Sequence, residues 1–497
     1  MATIIAMMLD DHSACQRSFR PRQVILMAAN ADEDVDQVEW VSYSSAGYGS
    51  AEEGLWEDVT PVETPSEEID WYDENPIDGE SMIEWDAPPC PAPLGIAYLV
   101  RIGCCDFCLH RLGGRRTDAI GAEGGLTLRK EAERRDSELA NQEPPIECPT
   151  CENLLDDVGN VSTIVSSACD GIQFSTMQIG VHIPKDLMEE EDRIRSRYGA
   201  PGSKPLKAAF VEEVQSSISS RVEGVEFVRE RPDLMVLIDT LTLRVDVDVR
   251  PVFLYGRYRK LSRGIPQTRW PCRACRGRDG GCESCESTGL QYPDSVQDLI
   301  GKPIAEQMNA IDTAFHGMGR EDIDVRCLGQ GRPFVLEVKS PKKRTPQFES
   351  LLKLVESNAK GRVEIDSLRL SDRKEVARIK QTRSEKSYTI RFKTESIENP
   401  DKISKDIFAL AGTTIEQQTP KRVSHRRADR NRLRKVVSVD RVEIEGDEIE
   451  MTLRCEAGTY IKELVHSDEG RTIPSVTSII DAPCEVIWLD VEDVHAD

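Results

Sequence analysis

Eight of the fifteen cysteines fall into four CxxC pairs, and these constrain the fold more than any other feature of the 497-residue chain. Cys105-Asp-Phe-Cys108 and Cys148-Pro-Thr-Cys151 are two of them. Cys272-Arg-Ala-Cys275 and Cys282-Glu-Ser-Cys285 are the others, with six residues (RGRDGG) between them. A CxxC turn sets two thiolates on one side of a tight loop, and two such turns supply the four soft donors of tetrahedral zinc. Disulfides would use the same sulfurs, but a reducing compartment opposes them. The N-terminus (MATIIAMMLDDH) has no basic region and meets two aspartates at once, unlike a secretion signal. No apolar run approaches the ~18 residues of a membrane span. The expectation is a cytoplasmic protein, not membrane-bound, with structural zinc on Cys105, Cys108, Cys148 and Cys151 and on Cys272, Cys275, Cys282 and Cys285. At the first set Cys104 offers a competing ligand. Four cysteines per ion leave no open coordination position for chemistry.

The formal charge of -24 is unevenly placed. Residues 1–100 carry 21 Asp and Glu against three Arg and no Lys, which leaves 67 acids and 61 bases in the rest of the chain. This acidic segment mixes Ser, Pro, Glu and Asp without a long period, so residues 1–94 are expected to be a disordered extension. A near-neutral body with local basic stretches leaves a polyanionic partner open. Arg outnumbers Lys 44 to 20, which together with the acids is compatible with a salt-adapted organism.

The Pro-rich stretch APPCPAP (87–93) marks the end of the extension. A first folded unit is expected over 95–265, with helices at 126–142 and 206–222 and a strand at 243–250, where LRVDVDVR alternates with period two. A second unit is expected over 266–497. There, 302–315 predicts a helix with Pro303 in its first turn and Ile304, Met308, Ile311 and Phe315 on one face. Asp322 follows on a loop, then the turn Gly329-Gln-Gly331 and an apolar strand over 333–338. Strands are predicted at 387–393, with Tyr388, Ile390 and Phe392 on one face, and at 449–454. A helix opens behind Gly458 with Thr459 as its cap. Lys462 near that helix start opposes the dipole and requires a carboxylate partner, for which Asp322 is a candidate.

Basic residues cluster twice. Between Lys421 and Lys435 there are eight Lys or Arg against Asp429 alone. Arg257, Arg259, Lys260, Arg263 and Arg269 are interleaved with Tyr255, Tyr258 and Trp270, a mixture suited to phosphate contact and base stacking. For 421–435 a solvated basic surface explains the composition equally well; for 255–270 nucleic-acid binding is preferred.

Four stretches resemble, in order, the tRNA pseudouridine synthases of archaea and eukaryotes that act on positions 54 and 55, the tenth pseudouridine synthase family. They are LYGRYRKLSRGIPQTRWPC (254–272), GREDIDVRCLGQGRPFVLE (319–337), QQTPKRVSHRRADRNRLR (417–434) and AGTYIKELVHSDEGRTIPSV (457–476). The resemblance covers about 95–497 and leaves the acidic extension unmatched. It implies an α+β fold: a pseudouridine synthase catalytic domain with a mixed, mainly antiparallel sheet, behind a zinc-containing THUMP-like α/β domain associated with tRNA binding. It also implies that Asp322 is the catalytic aspartate, Lys462 its basic partner and Tyr388 the tyrosine that stacks on the target uracil. Arg320 would fill the space of an extruded base, with Tyr460, Ile461 and Leu464 bordering the pocket. Arg257, Arg259, Lys260, Arg263, Arg422, Arg426 and Arg427 are the RNA-binding candidates. The reaction detaches uracil from C1′ through N1, turns it and reattaches it through C5, so no cofactor is needed for catalysis. A monomer acting on tRNA is expected. The competing readings are a non-catalytic zinc-containing RNA-binding protein and a zinc-dependent hydrolase or deaminase, the latter opposed by the absence of an HxE motif.

Overall fold

The computed structural model describes residues 92–496 except 114–119, 142–145, 396, 398 and 425–427, with side chains omitted at 92, 93 and 279. The expected extension therefore lies outside the described residues, apart from its last three, which already belong to the helix Ala92–Arg101.

Apolar residues at helical spacing give the first half its form. Helices Ala92–Arg101, Asp106–Gly113, Gly121–Arg135, Ser137–Ala140 and Val158–Ala168 precede a small sheet. Its strands are β1 (Thr176–His182), β2 (Glu226–Phe227), β3 (Leu234–Asp239) and β4 (Arg244–Val249), in the order β2-β1-β3-β4. β1 runs parallel to β2 and β3, while β4 is antiparallel to β3. Alternation puts Met177, Ile179 and Val181 of β1 and Leu234, Val236 and Ile238 of β3 into one core with Phe210, Val214 and Ile218 of helix Leu206–Ser219. The strand expected over 243–250 is β4. The helix expected over 126–142 begins earlier and breaks at Asp136, whose side chain caps Ser137–Ala140.

The second half is built on one ten-stranded sheet. Its strands are β5 (Val252–Lys260), β6 (Asp312–Gly317), β7 (Arg326–Lys339), β8 (Val363–Ser371), β9 (Lys386–Thr394), β10 (Thr414–Gln418), β11 (Asn431–Glu445), β12 (Glu448–Cys455), β13 (Thr472–Ile473) and β14 (Cys484–Val494). The order is β13-β10-β11-β12-β9-β14-β7-β5-β8, with β6 paired to β7. Every pairing is antiparallel except β14 with β7. The fold is α+β. β5 hydrogen-bonds to β7 and β8, so sheet membership changes between β4 and β5, ahead of the boundary expected at 265.

One expected helix is two elements. Residues 296–307 are helical behind the cap Ser295, and 312–317 are β6. Pro303 sits well inside the helix and cannot donate to Leu299 O; Asn358 Nδ2 donates there instead, at 2.9 Å. Ile304 and Met308 are buried as expected, Phe315 is buried from the strand, and Ile311 between them is exposed. No helix among the described residues is long and apolar enough to cross a membrane.

Candidate active site

Residues 318–325 link β6 to β7 and carry Asp322. Gly319 opens the link at φ +72°, a left-handed conformation that glycine adopts without steric cost. Backbone carbonyls of a loop need donors, and here three buried side chains supply them. Arg332 Nη1 donates to Met318 O at 2.9 Å, Gln267 Nε2 to Gly319 O at 3.0 Å, and Lys260 Nζ to Asp322 O at 3.0 Å and Ile323 O at 3.2 Å. Glu321 is buried beside them. It accepts from Tyr258 Oη at 2.8 and 2.9 Å and lies 2.9 Å from Arg332 Nε, an ion contact off the hydrogen-bond direction. Sequence reasoning missed Glu321, Arg332 and Gln267.

The Asp322 carboxylate, 35% exposed, meets two cations. Arg422 Nη1 lies 2.8 Å from Oδ2 and Lys462 Nζ lies 3.7 Å from the same oxygen. The expected Lys462 partnership is therefore the longer of the two. The lysine bonds mainly to Asp324, at 2.7 and 3.1 Å. Burial raises the Asp324 carboxyl, but the hydrogen bond and charge of Lys462 outweigh it and hold the group below its ordinary value. Arg422 is anchored from behind by the buried Glu463, at 2.7 Å from Nε. Arg422, expected as an RNA contact, is thus an ion-pair partner of Asp322.

Lys462 and Glu463 lie in the helix Ile461–His466. Its cap position is Tyr460, not the expected Thr459, whose hydroxyl donates to Glu456 O. The Gln417 amide brackets Tyr460, accepting from its N–H and donating to its carbonyl. Tyr388 is buried on β9, opposite Leu453 and Val491, in the hydrophobic cluster that also holds Met318, Val325, Ile461 and Leu464. Burial pushes its hydroxyl pKa upward. Arg320 is exposed, with its guanidinium 5.9 Å from the Trp270 ring centre.

The basic stretch on β5 is not a free surface. Lys260 is fully buried, burial depresses its pKa, and its ammonium donates to the carbonyls of Ile265, Asp322 and Ile323. Arg257 donates to the carbonyls of Gln330, Gly331, Val494 and Ala496. Arg259 pairs with Glu364 and Asp366 across to β8, and Arg263 pairs with the buried Asp490. Tyr255 and Tyr258 are buried. These side chains hold the sheet, with their donors already engaged within the protein. Arg426 and Arg427 lie outside the described residues.

Both cysteine sets assemble. In each, the four sulfurs lie within 4.8 Å of one another, so each can hold a metal ion. Cys104 lies beside the first set, in contact with Cys148 and 3.8 Å from Thr150 Oγ1, but outside the group of four. Donors converge on the sulfurs: Arg111 Nε on Cys108 at 3.3 Å, and the backbone N–H groups of Cys282 and Gly289 on Cys285 at 3.1 and 3.2 Å. The Cys282 and Gly289 N–H groups pull the Cys285 thiol down to about 6, favouring the thiolate that a metal requires. Four sulfur donors close each site, a structural arrangement.

Family models match two parts of the chain: "Pus10, C-terminal" over residues 253–495 and "Pus10 THUMP domain, archaeal" over 162–239. A tRNA pseudouridine synthase Pus10 of Methanothermobacter marburgensis is 38% identical over 399 residues, 78% of this chain and 95% of that protein. One from Methanocaldococcus jannaschii is 40% identical over 356 residues, 70% of this chain and 75% of that protein. Among solved structures, a Cbf5-Nop10-Gar1 complex matches at a TM-score of 0.24 and 19% identity, over 39% of this chain and 44% of that one. On the strength of identity that spans nearly the whole length of a relative, the chain belongs to the Pus10 family of tRNA pseudouridine synthases.

Proposed function

We propose that this chain isomerises uridine to pseudouridine in tRNA, at positions 54 and 55 of the T-arm, with Asp322 as the catalytic carboxylate. The observation that carries the reading is the convergence on Asp322 of two cations remote in sequence, Arg422 and Lys462, beside the cluster that holds Tyr388. A carboxylate oriented by two cations is suited to act as a nucleophile at C1′ or as a base toward the sugar. Tyr388 offers a ring face to the extruded uracil, and its hydroxyl serves the proton exchange at C5. Reaching the base costs a few kcal/mol of unstacking, which calls for an apolar wall such as Ile461 and Leu464 provide. Arg320 on Trp270 fills the gap that the base leaves.

Residues up to about 250 form the THUMP-containing, tRNA-holding part, and 252–495 form the catalytic part. The cysteine sets bind zinc, which braces the fold and takes no part in the isomerisation. A non-catalytic RNA-binding protein would have no use for a carboxylate clamped by two cations on a pinned loop.

The test is Asp322→Asn. It is expected to keep tRNA affinity near wild type and to lose pseudouridine formation, read by chemical mapping of an unmodified tRNA transcript. Residual activity within about tenfold of wild type, a barrier change of only ~1.4 kcal/mol, would refute the assignment.

A further inference from the structure

The Cys272–Cys285 knuckle is more than a brace. Arg273, Arg276 and Arg278 on its first half are all exposed, and none makes a side-chain hydrogen bond or ion pair among the described residues. By contrast, Arg259, Arg269, Arg326 and Arg391 each hold an acid. The knuckle's described acids, Glu283 and Glu286, lie on its second half; Asp279 has no described side chain.

The knuckle is also joined to the site. Its stem closes through Cys272 N to Gly289 O and Gln291 N to Trp270 O, both 2.8 Å. Trp270 packs edge-on to Tyr292 and underlies the guanidinium of Arg320, two residues from Asp322. The free cations thus sit on a loop whose stem is joined to Trp270, a support that four metal-held sulfurs would keep rigid.

We infer that the first half of this knuckle is a phosphate-binding surface, which takes the tRNA backbone flanking the modified uridine. The inference rests on the proposed activity and gives that site a second contact region, outside the THUMP-containing part. Each guanidinium is free to displace a counterion from a phosphate, so each contributes to the salt dependence of binding rather than to chemistry.

The experiment uses the full chain and an unmodified tRNA transcript. Affinity is measured across a monovalent-salt series for wild type, for Arg273→Gln/Arg276→Gln/Arg278→Gln and for the matching triple Lys variant, with zinc content and turnover at saturating tRNA recorded for each. The Gln variant is expected to lower the slope of log affinity against log salt by about two to three, with turnover unchanged, and the Lys variant to keep the wild-type slope. A Gln variant with wild-type zinc and wild-type slope overturns the inference, as does a Lys variant that loses as much slope as the Gln variant. If the triple Gln variant loses zinc, the single variants decide: each should lower the slope by about one, and three unchanged slopes overturn the inference. A wild-type chain that binds tRNA but forms no pseudouridine would refute the proposed activity instead, since the slope comparison needs no catalysis.

Discussion

Removing the cation from Glu321 should destabilise the floor of the site. The Glu321 side chain is wholly buried, and Arg332, 1% exposed, is its counter-charge at 2.9 Å. Arg332→Met leaves a buried carboxylate with the Tyr258 hydroxyl as its remaining described donor. Stranding one member of a buried pair costs about 3–5 kcal/mol. For a sheet domain of this size that is a fall of roughly 6–20 °C in melting temperature. The same change removes the donor to Met318 O, so the link carrying Asp322 should loosen and turnover should fall as well. Melting of wild type, Arg332→Met and Glu321→Gln/Arg332→Met reads this directly. The double variant, which strands no charge, should be more stable than the single. A single variant that loses less than about 1 kcal/mol would show that the pair does not carry the charge balance of the buried floor.

Further outcomes are expected elsewhere. Arg422→Met, made with Glu463→Gln so that no buried acid is exposed unpaired, should lower single-turnover pseudouridine formation by on the order of 10²-fold, and by more than Lys462→Met, because Arg422 stands nearer Asp322; the reverse ranking would return the principal role to the lysine. Elemental analysis of protein purified without added metal should find two zinc ions per chain, and Cys275→Ser/Cys285→Ser should lose one of them while the Cys105–Cys151 site keeps its own; fewer than one ion per wild-type chain rejects both sites. Hydrogen bonding and charge from Arg369, with Ser371 and Arg378, outweigh burial and hold the Glu375 carboxyl down to about 2, against an ordinary value of 4.5. The stability it contributes is complete above pH 4.5 and lost as pH falls toward 2, so Glu375→Gln should flatten the melting profile over that window, and an unchanged profile would contradict the pairing.

Much of this was legible in the sequence, and each miss has a physical cause. The CxxC spacing located both sulfur clusters, and the strands at 244–249, 386–394 and 448–455 followed from period-two alternation. Family resemblance, carried by the four quoted stretches, identified Asp322 and Lys462 as neighbours. What the sequence hid was the inside of charged strands. Lys260 shares strand parity with Val252, Leu254 and Tyr258, and Arg332 with Phe334, Leu336 and Val338, all buried. Extended to these two residues, that parity sends both inward, but no strand was expected over 252–260 and the expected apolar strand began only at 333. The acid partners of Arg422 were hidden for a different reason. They lie 100 and 41 positions away, and pairing at such range is set by topology rather than by local pattern. The helix expected through 315 failed because Ile304, Met308, Ile311 and Phe315 satisfy helical spacing by coincidence across a helix end at Gln307.

The strand order has a consequence for synthesis. β14, residues 484–494, is the sole link in the sheet between β7 and β9. Everything on one side of that seam, including the Asp322 link, is translated before everything on the other, including Tyr388 and Lys462. Asp490 closes the seam by holding Arg263 and Arg326. Until residues 484–494 are made, a nascent chain holds both halves of its candidate active site without the described strand that joins them in the sheet. A variant that lost β14 would expose the edge of β9 and the start of β7 that it covers.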